Sequence, residues 1–137
     1  SKLVQVGLRD ICQDEVDLIN NSHGRVIAHY DSALQQKLFS GRNWVDICQE
    51  IIAPLPEYVH VSFDVDGLDP KLCPNTGTPV PGGLALEQTY CLFRELVKSD
   101  RKIIGYDLCE VGNAEWDGNV GARIVYKLAN LMDLSWK

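Results

Sequence analysis

The sequence predicts an α/β fold, a three-layer sandwich around a mainly parallel sheet, and three observations lead there. Short β-rich runs alternate with helix-length amphipathic runs along the whole chain, the order that right-handed crossovers turn into parallel strands. One run, Val59 to Asp66, alternates residue by residue, with Val59, Val61, Phe63 and Val65 on one side and His60, Ser62, Asp64 and Asp66 on the other. No internal repeat, low-complexity tract or linker interrupts the 137 residues, so residues 1–137 are expected to share one core.

Taken in order, Leu3 to Leu8 is the first expected strand, ending at Arg9-Asp10. Asp14 and Glu15 then place negative charge in the first turn of a helix with a modest apolar face of Val16, Leu18 and Ile19, and Asn20 to Gly24 ends it. Val26 to Tyr30 is the second strand. Asp31 and Ser32 can cap a brief helical turn through Leu38, closed by Gly41. Asn43 caps a clearer helix, in which Trp44, Ile47, Cys48, Ile51, Ile52 and Leu55 recur at three- and four-residue steps until Pro54 and Pro56 stop it. The alternating strand follows. Leu86 to Val97 is next, an amphipathic helix with Leu86, Tyr90, Phe93, Leu96 and Val97 inward and Glu87, Arg94, Glu95 and Lys98 mainly outward. Lys102 to Val111 is the fourth strand. Asn113 to Gly118 is a polar loop, and the last helix buries Val120, Ile124, Val125, Leu128, Leu131 and Met132.

The chemistry gathers where the alternating strand ends. Gly67 and Pro70 break the pattern and leave Asp64 and Asp66 at the carboxyl end of the strand, where α/β sheets place ligands. Two adjacent carboxylates repel, so both stay ionised at neutral pH only beside cations, and hard divalent metals favour oxygen ligands. A lone aspartate there could simply cap a turn, but one-residue turn chemistry does not ask for two carboxylates on one strand face. A D-x-D phosphatase of the haloacid dehalogenase type is the alternative enzyme. That pattern prefers Thr or Val where Leu68 stands, sits near the beginning of a chain and is followed by an acidic pair that is missing here.

The next segment separates these readings. Asn75-Thr76-Gly77-Thr78-Pro79-Val80-Pro81-Gly82-Gly83 is a stiff loop whose glycines admit close backbone approach. Together with Ser62-Phe63-Asp64-Val65-Asp66-Gly67-Leu68-Asp69-Pro70 it resembles the ureohydrolase family, the arginases, agmatinases and formimidoylglutamases, in that family's C-terminal half. Val6 to Asp10 and Gly105 to Val111 resemble flanking strands of the same family, so the resemblance covers almost the whole chain. It implies an arginase-like fold and hydrolysis of a guanidino or amidino carbon of arginine, agmatine or a related compound, with two Mn2+ ions per complete site. It also implies Asp64 and Asp66 as metal ligands and Thr78 and Glu110 as substrate-binding residues. Arg9 and Asp10 are expected to form a structural ion pair, and His23, His29 and His60 to be structural.

Two departures limit what the resemblance implies. The position two beyond Asp10, an aspartate in arginases that helps hold the substrate's α-amino group, is Cys12, which leaves the choice of guanidino compound open. The family's Gly-Gly-x-His and D-A-H-x-D motifs, with the remaining ligands and the histidine proposed as proton shuttle, are not found in this chain. No catalytic residue is therefore assigned. The expectation is a chain inactive alone, joined by self-association or a partner chain; a noncatalytic interaction module or companion subunit is the alternative class.

Composition sets the remaining bounds. A net charge of −6 and a pI near 4.9 argue against a nucleic-acid surface, which needs clustered Lys and Arg. Five cysteines without a C-x-x-C spacing indicate neither a disulfide framework nor a zinc site, and they are expected to be small apolar fillers in a reducing compartment. Neither a long apolar run nor a charged-then-apolar leader is visible, so a cytoplasmic chain without a membrane span is expected. A start at Ser1 that runs almost directly into an apolar strand suggests a piece of something longer.

Overall fold

β-Branched runs form strands here and apolar stripes at helical spacing form helices, in the expected alternation. The computed structural model describes all of residues 1–137. The order is β1 (Leu3–Leu8), α1 (Gln13–Asn21), β2 (Val26–Tyr30), α2 (Asp31–Phe39), α3 (Trp44–Ile52), β3 (Tyr58–Asp64), α4 (Leu86–Lys98), β4 (Lys102–Cys109) and α5 (Glu115–Leu134). No helix is long and apolar enough to cross a membrane.

The strands are parallel, as the alternation implied, but they pair as two separate two-stranded sheets, β1 with β2 and β3 with β4. No ladder joins β1 to β3. Their carboxyl ends are linked instead by side-chain bonds from Arg9, while a parallel bridge between Leu68 and Leu84 ties the turn after β3 to the end of the Pro/Gly loop.

The core lies on one side of β3–β4. Val59 and Ile103 are buried in the strands, Phe93 and Leu96 come from α4, Val120, Ile124 and Leu128 from α5, and Ile47 and Ile51 from α3. Phe63 meets Phe93 edge-on at 5.6 Å between ring centroids, a geometry that suits the ring quadrupoles. The opposite face, carrying His60, Ser62 and Asp107, is open to solvent.

Several local expectations change for identifiable reasons. Asp31 does not cap α2 from outside; Tyr30 holds the cap position, and Asp31 is buried in the first turn with its Oδ2 accepting the Gly83 N–H at 3.2 Å. Glu95 is buried on α4, paired with Lys98 at 2.8 Å, and Val125 is exposed on α5. α5 begins at Glu115, inside the expected polar loop, which puts Asp117 in its first turn. Leu18 of α1 is exposed, and that helix buries no residue. Cys48 and Cys73 are buried fillers as expected, whereas Cys12 and Cys109 are exposed.

Candidate metal centre at the tip of the third strand

β3 stops at Asp64, one dipeptide earlier than the alternation runs. Val65 to Gly67 is a single 3-10 turn, closed by Leu68 N–H to Val65 C=O at 3.0 Å, and Val65 turns into the core. Asp64 causes this: its Oδ1 accepts the Asp66 N–H at 2.8 Å, the turn-capping chemistry of a short acidic side chain. Asp64 and Asp66 are therefore not two residues of one strand face. Asp64 ends the strand and Asp66 sits within the turn, which still keeps both at the strand tip.

The Pro/Gly loop holds the second carboxylate. Thr78 Oγ1 donates to Asp66 Oδ2 at 2.6 Å, and Thr76 Oγ1 lies between Asp66 Oδ1 and the Glu110 carbonyl, with a bond to the latter at 2.8 Å. Thr78, twelve residues on, thus orients one oxygen of Asp66, while Thr76, ten residues on, faces the other with a single hydroxyl proton that serves either Asp66 Oδ1 or the Glu110 carbonyl. Thr78, expected at the substrate, touches the candidate ligand Asp66. Thr76 was missed by sequence reasoning; its only signal was the Thr-Gly-Thr spacing.

Glu110 arrives from β4 by an unusual backbone. It is a non-glycine residue at φ +62°, in the left-handed region, and this is where β4 ends rather than at Val111. The turn swings its carboxylate over Gly77, where an added Cβ would lie 2.6 Å from Oε2. A side chain at that glycine would displace the acid. Glu110 is exposed, so it needs no internal partner.

Behind the loop, Asp117 is wholly buried and its Oδ2 accepts the Asn75 N–H at 3.0 Å. Gly112 is pressed against the same place, since a Cβ there would collide with Asp117 Oδ2 and the Asn75 carbonyl. α5 thereby fixes the residue before Thr76. Burial raises the nearby Cys73 thiol to about 11, with Asp117 and Asp66 adding repulsion, so Cys73 stays a neutral filler.

Arg9 does not pair with Asp10. Its guanidinium donates only to main-chain carbonyls, including those of Asp66 and Val80. On the open face, His60 Nε2 meets Asp107 Oδ2 at 2.9 Å and Ser62 Oγ donates to Asp107 Oδ1 at 2.8 Å, bonds that hold the Asp107 carboxyl below its usual value. His60 is thus hydrogen-bonded in place, though exposed. His29 is half-buried with Nε2 unpartnered, and burial lowers its pKa. His23 is exposed at φ +51°.

The donor chemistry fits a hard divalent metal in part. Asp64 and Asp66 offer carboxylate oxygens, and neither is in an ion pair with the protein's own cations. No group of three or more His, Cys, Asp or Glu side chains is arranged to hold a metal ion.

Comparison with known proteins bears on the family and the fold. Residues 1–131 match the Arginase family. An N(1)-aminopropylagmatine ureohydrolase of Synechocystis sp. is 31% identical over 128 residues, 90% of this chain and 38% of the relative. Arginase-1 of Bos taurus is 32% identical over 109 residues, 80% of this chain and 33% of the relative. The solved arginase from Medicago truncatula superposes with a TM-score of 0.73 at 26% identity, covering 96% of this chain and 40% of that one. The chain thus spans well under half the length of each.

Proposed function

The chain belongs to the arginase family, and we propose that it supplies one part of a metal-dependent ureohydrolase site acting on a guanidino or amidino compound. The observation that carries this reading is the Thr78 hydroxyl bond to Asp66, with Thr76 against its other oxygen, beside Asp64 at one strand tip. Hydroxyls that orient a carboxylate without neutralising it leave its charge available to a cation.

Asp64 and Asp66 would hold the metal, with two Mn2+ ions in the complete site, and Thr76 and Thr78 would fix the direction of the second ligand. When bound, the metal pair supplies the Lewis acidity that makes water a nucleophile at neutral pH, which a resonance-stabilised guanidinium requires. Glu110, exposed and swung over Gly77, would accept two N–H donors from the planar guanidinium, a charge-assisted pairing that orients the carbon for attack. Two carboxylates do not fill a six-ligand shell, so further ligands and the proton shuttle come from another segment. Cys12 offers no carboxylate to an α-amino group, which favours a guanidino compound other than arginine. A reducing, cytoplasmic setting suits the five free cysteines.

The test is urea release from the isolated chain with Mn2+ and either arginine or agmatine. The expected result is turnover indistinguishable from buffer, alongside saturable Mn2+ binding that Asp66→Asn abolishes. Turnover of about 1 s−1 or more, ordinary for an enzyme, contradicts the partial site.

A second reading, a noncatalytic companion subunit, has one observation in its favour. Both two-stranded sheets end in unpaired strand edges, which invite another strand. Light scattering of the purified chain distinguishes the readings when combined with the Mn2+ titration: stable association without Mn2+ binding supports the companion subunit.

A further inference from the structure

Arg9 stands at the end of β1, and its half-buried guanidinium faces carbonyls on every side. Nε donates to Val80 C=O at 3.2 Å. Nη1 donates to Gly7 C=O at 3.0 Å and Gly67 C=O at 3.4 Å, while Nη2 donates to Asp66 C=O and, at 3.4 Å, to Leu68 C=O. A guanidinium has five N–H donors in a planar fork, and here five carbonyls meet them. No carboxylate lies within ion-pair distance of the cation, and its hydrogen-bond partners are all carbonyls.

The carbonyls come from three segments: the end of β1, the turn through Asp66, and the Pro/Gly loop that carries Thr76 and Thr78; the last two also meet through main-chain bonds at the Leu68–Leu84 bridge, whereas β1 has no ladder to either. The loop is shaped to admit the fork. Gly82 and Gly83 have φ of +99° and +93°, and a Cβ on Gly83 would lie 2.9 Å from Arg9 Nη1 and 2.5 Å from the Leu68 carbonyl. Asp31 secures the same loop from behind by accepting the Gly83 N–H.

We propose that Arg9 is a positioning residue for the Asp64–Asp66 tip, its fork holding the turn and the Pro/Gly loop in the register that lets both threonines reach Asp66. The proposal rests on the metal-site reading for its consequence, though not for its geometry. A lysine keeps the charge but offers three donors from a single point, too compact to reach carbonyls on three segments at once.

Two measurements need no metal. In 15N NMR of the wild-type chain, a fork held by five acceptors shows hindered rotation, with separate Nη1 and Nη2 resonances; a single averaged signal overturns the proposal. In Arg9→Lys, amide exchange at Asp66, Leu68 and Leu84 rises about tenfold or more while Leu128 in α5 stays within about twofold of wild type, because the loss is local. Uniform acceleration across α5 and the turn, or none at the turn, makes Arg9 merely structural and overturns it. If Arg9→Lys fails to fold, the wild-type NMR result decides.

The third measurement is Mn2+ titration followed by the EPR signal of the free ion, with affinity expected about tenfold weaker in Arg9→Lys than in wild type. Equal affinity in the two chains overturns the positioning role. Absence of Mn2+ binding in wild type overturns the metal-site reading instead, and leaves the NMR and exchange results to decide Arg9.

Discussion

The β3–β4 and β1–β2 pairs have the same topology, two parallel strands each, yet differ in what secures them. β3–β4 has a buried face on α4 and α5, with Ile103, Ile124 and Leu128 fully buried, and its tip carries the candidate ligands. β1–β2 buries Val26 but receives α1 without burying a single residue of that helix. Its contribution to the site is polar: Arg9 from the end of β1 and Asp31 from the start of α2 reach into the loops of the other half. The contrast teaches that apolar packing fixes where the ligand-bearing strand lies, while main-chain hydrogen bonding from the less packed half fixes how its tip is shaped.

The largest effect that tests this contrast is a cavity. Leu128→Ala should cost about 3 kcal/mol in urea denaturation, whereas Leu18→Ala on α1 should change stability by about 0.5 kcal/mol or less. Similar costs at both positions would erase the distinction. Next, Asp117→Leu removes the acceptor of the Asn75 N–H and should cost about 1–3 kcal/mol, with exchange at the Asn75 amide accelerated first. At the tip itself, Thr78→Val should weaken Mn2+ binding more than Thr76→Val, because Thr78 donates to Asp66 alone whereas the Glu110 carbonyl competes for the single Thr76 proton; isothermal titration that ranks them the other way would make Thr76 the principal support.

The smallest effects are in pH dependence, and the two halves titrate in different windows. Burial depresses His29 below its ordinary 6.5, so the unfolded chain binds the proton first and stability falls as pH drops below about 6.5; Lys37 adds to this and Glu50 opposes it. His29→Gln should flatten that slope in urea midpoints taken between pH 7 and 5.5. The hydrogen bonds from His60 and Ser62 depress Asp107 below its ordinary 3.8, so its contribution holds above that value and is lost only as pH falls further. Ser62→Ala should move only this acid limb, by less than His29→Gln moves the neutral one.

The elements were legible because their cause is local. Three- and four-residue steps gave α3 and α4, and the strict alternation gave β3. Asp64 and Asp66 stood out as paired acids at a strand end, and the Pro/Gly loop with its family resemblance pointed to Thr78 and Glu110. The boundaries were less legible. Alternation through Val65 continues a strand on paper, whereas the Asp64 carboxylate captures the Asp66 N–H and curls the chain, and Glu110 ends β4 by adopting a left-handed backbone that its residue type does not favour. The pairing of Arg9 with Asp10 looked natural from adjacency, but carbonyls that only folding brings near compete better for a planar fork.

By itself the sequence determined the alternation of parallel strands and helices, the family, and the two acids at the strand tip, since each depends on side chains within a few residues of one another. The tertiary structure alone decided that Thr76 joins Thr78 on Asp66, that Asp117 anchors the loop, and that Arg9 gathers carbonyls from up to 71 residues away. Those bonds depend on chain segments meeting in space, and no periodicity in the sequence records which segments meet.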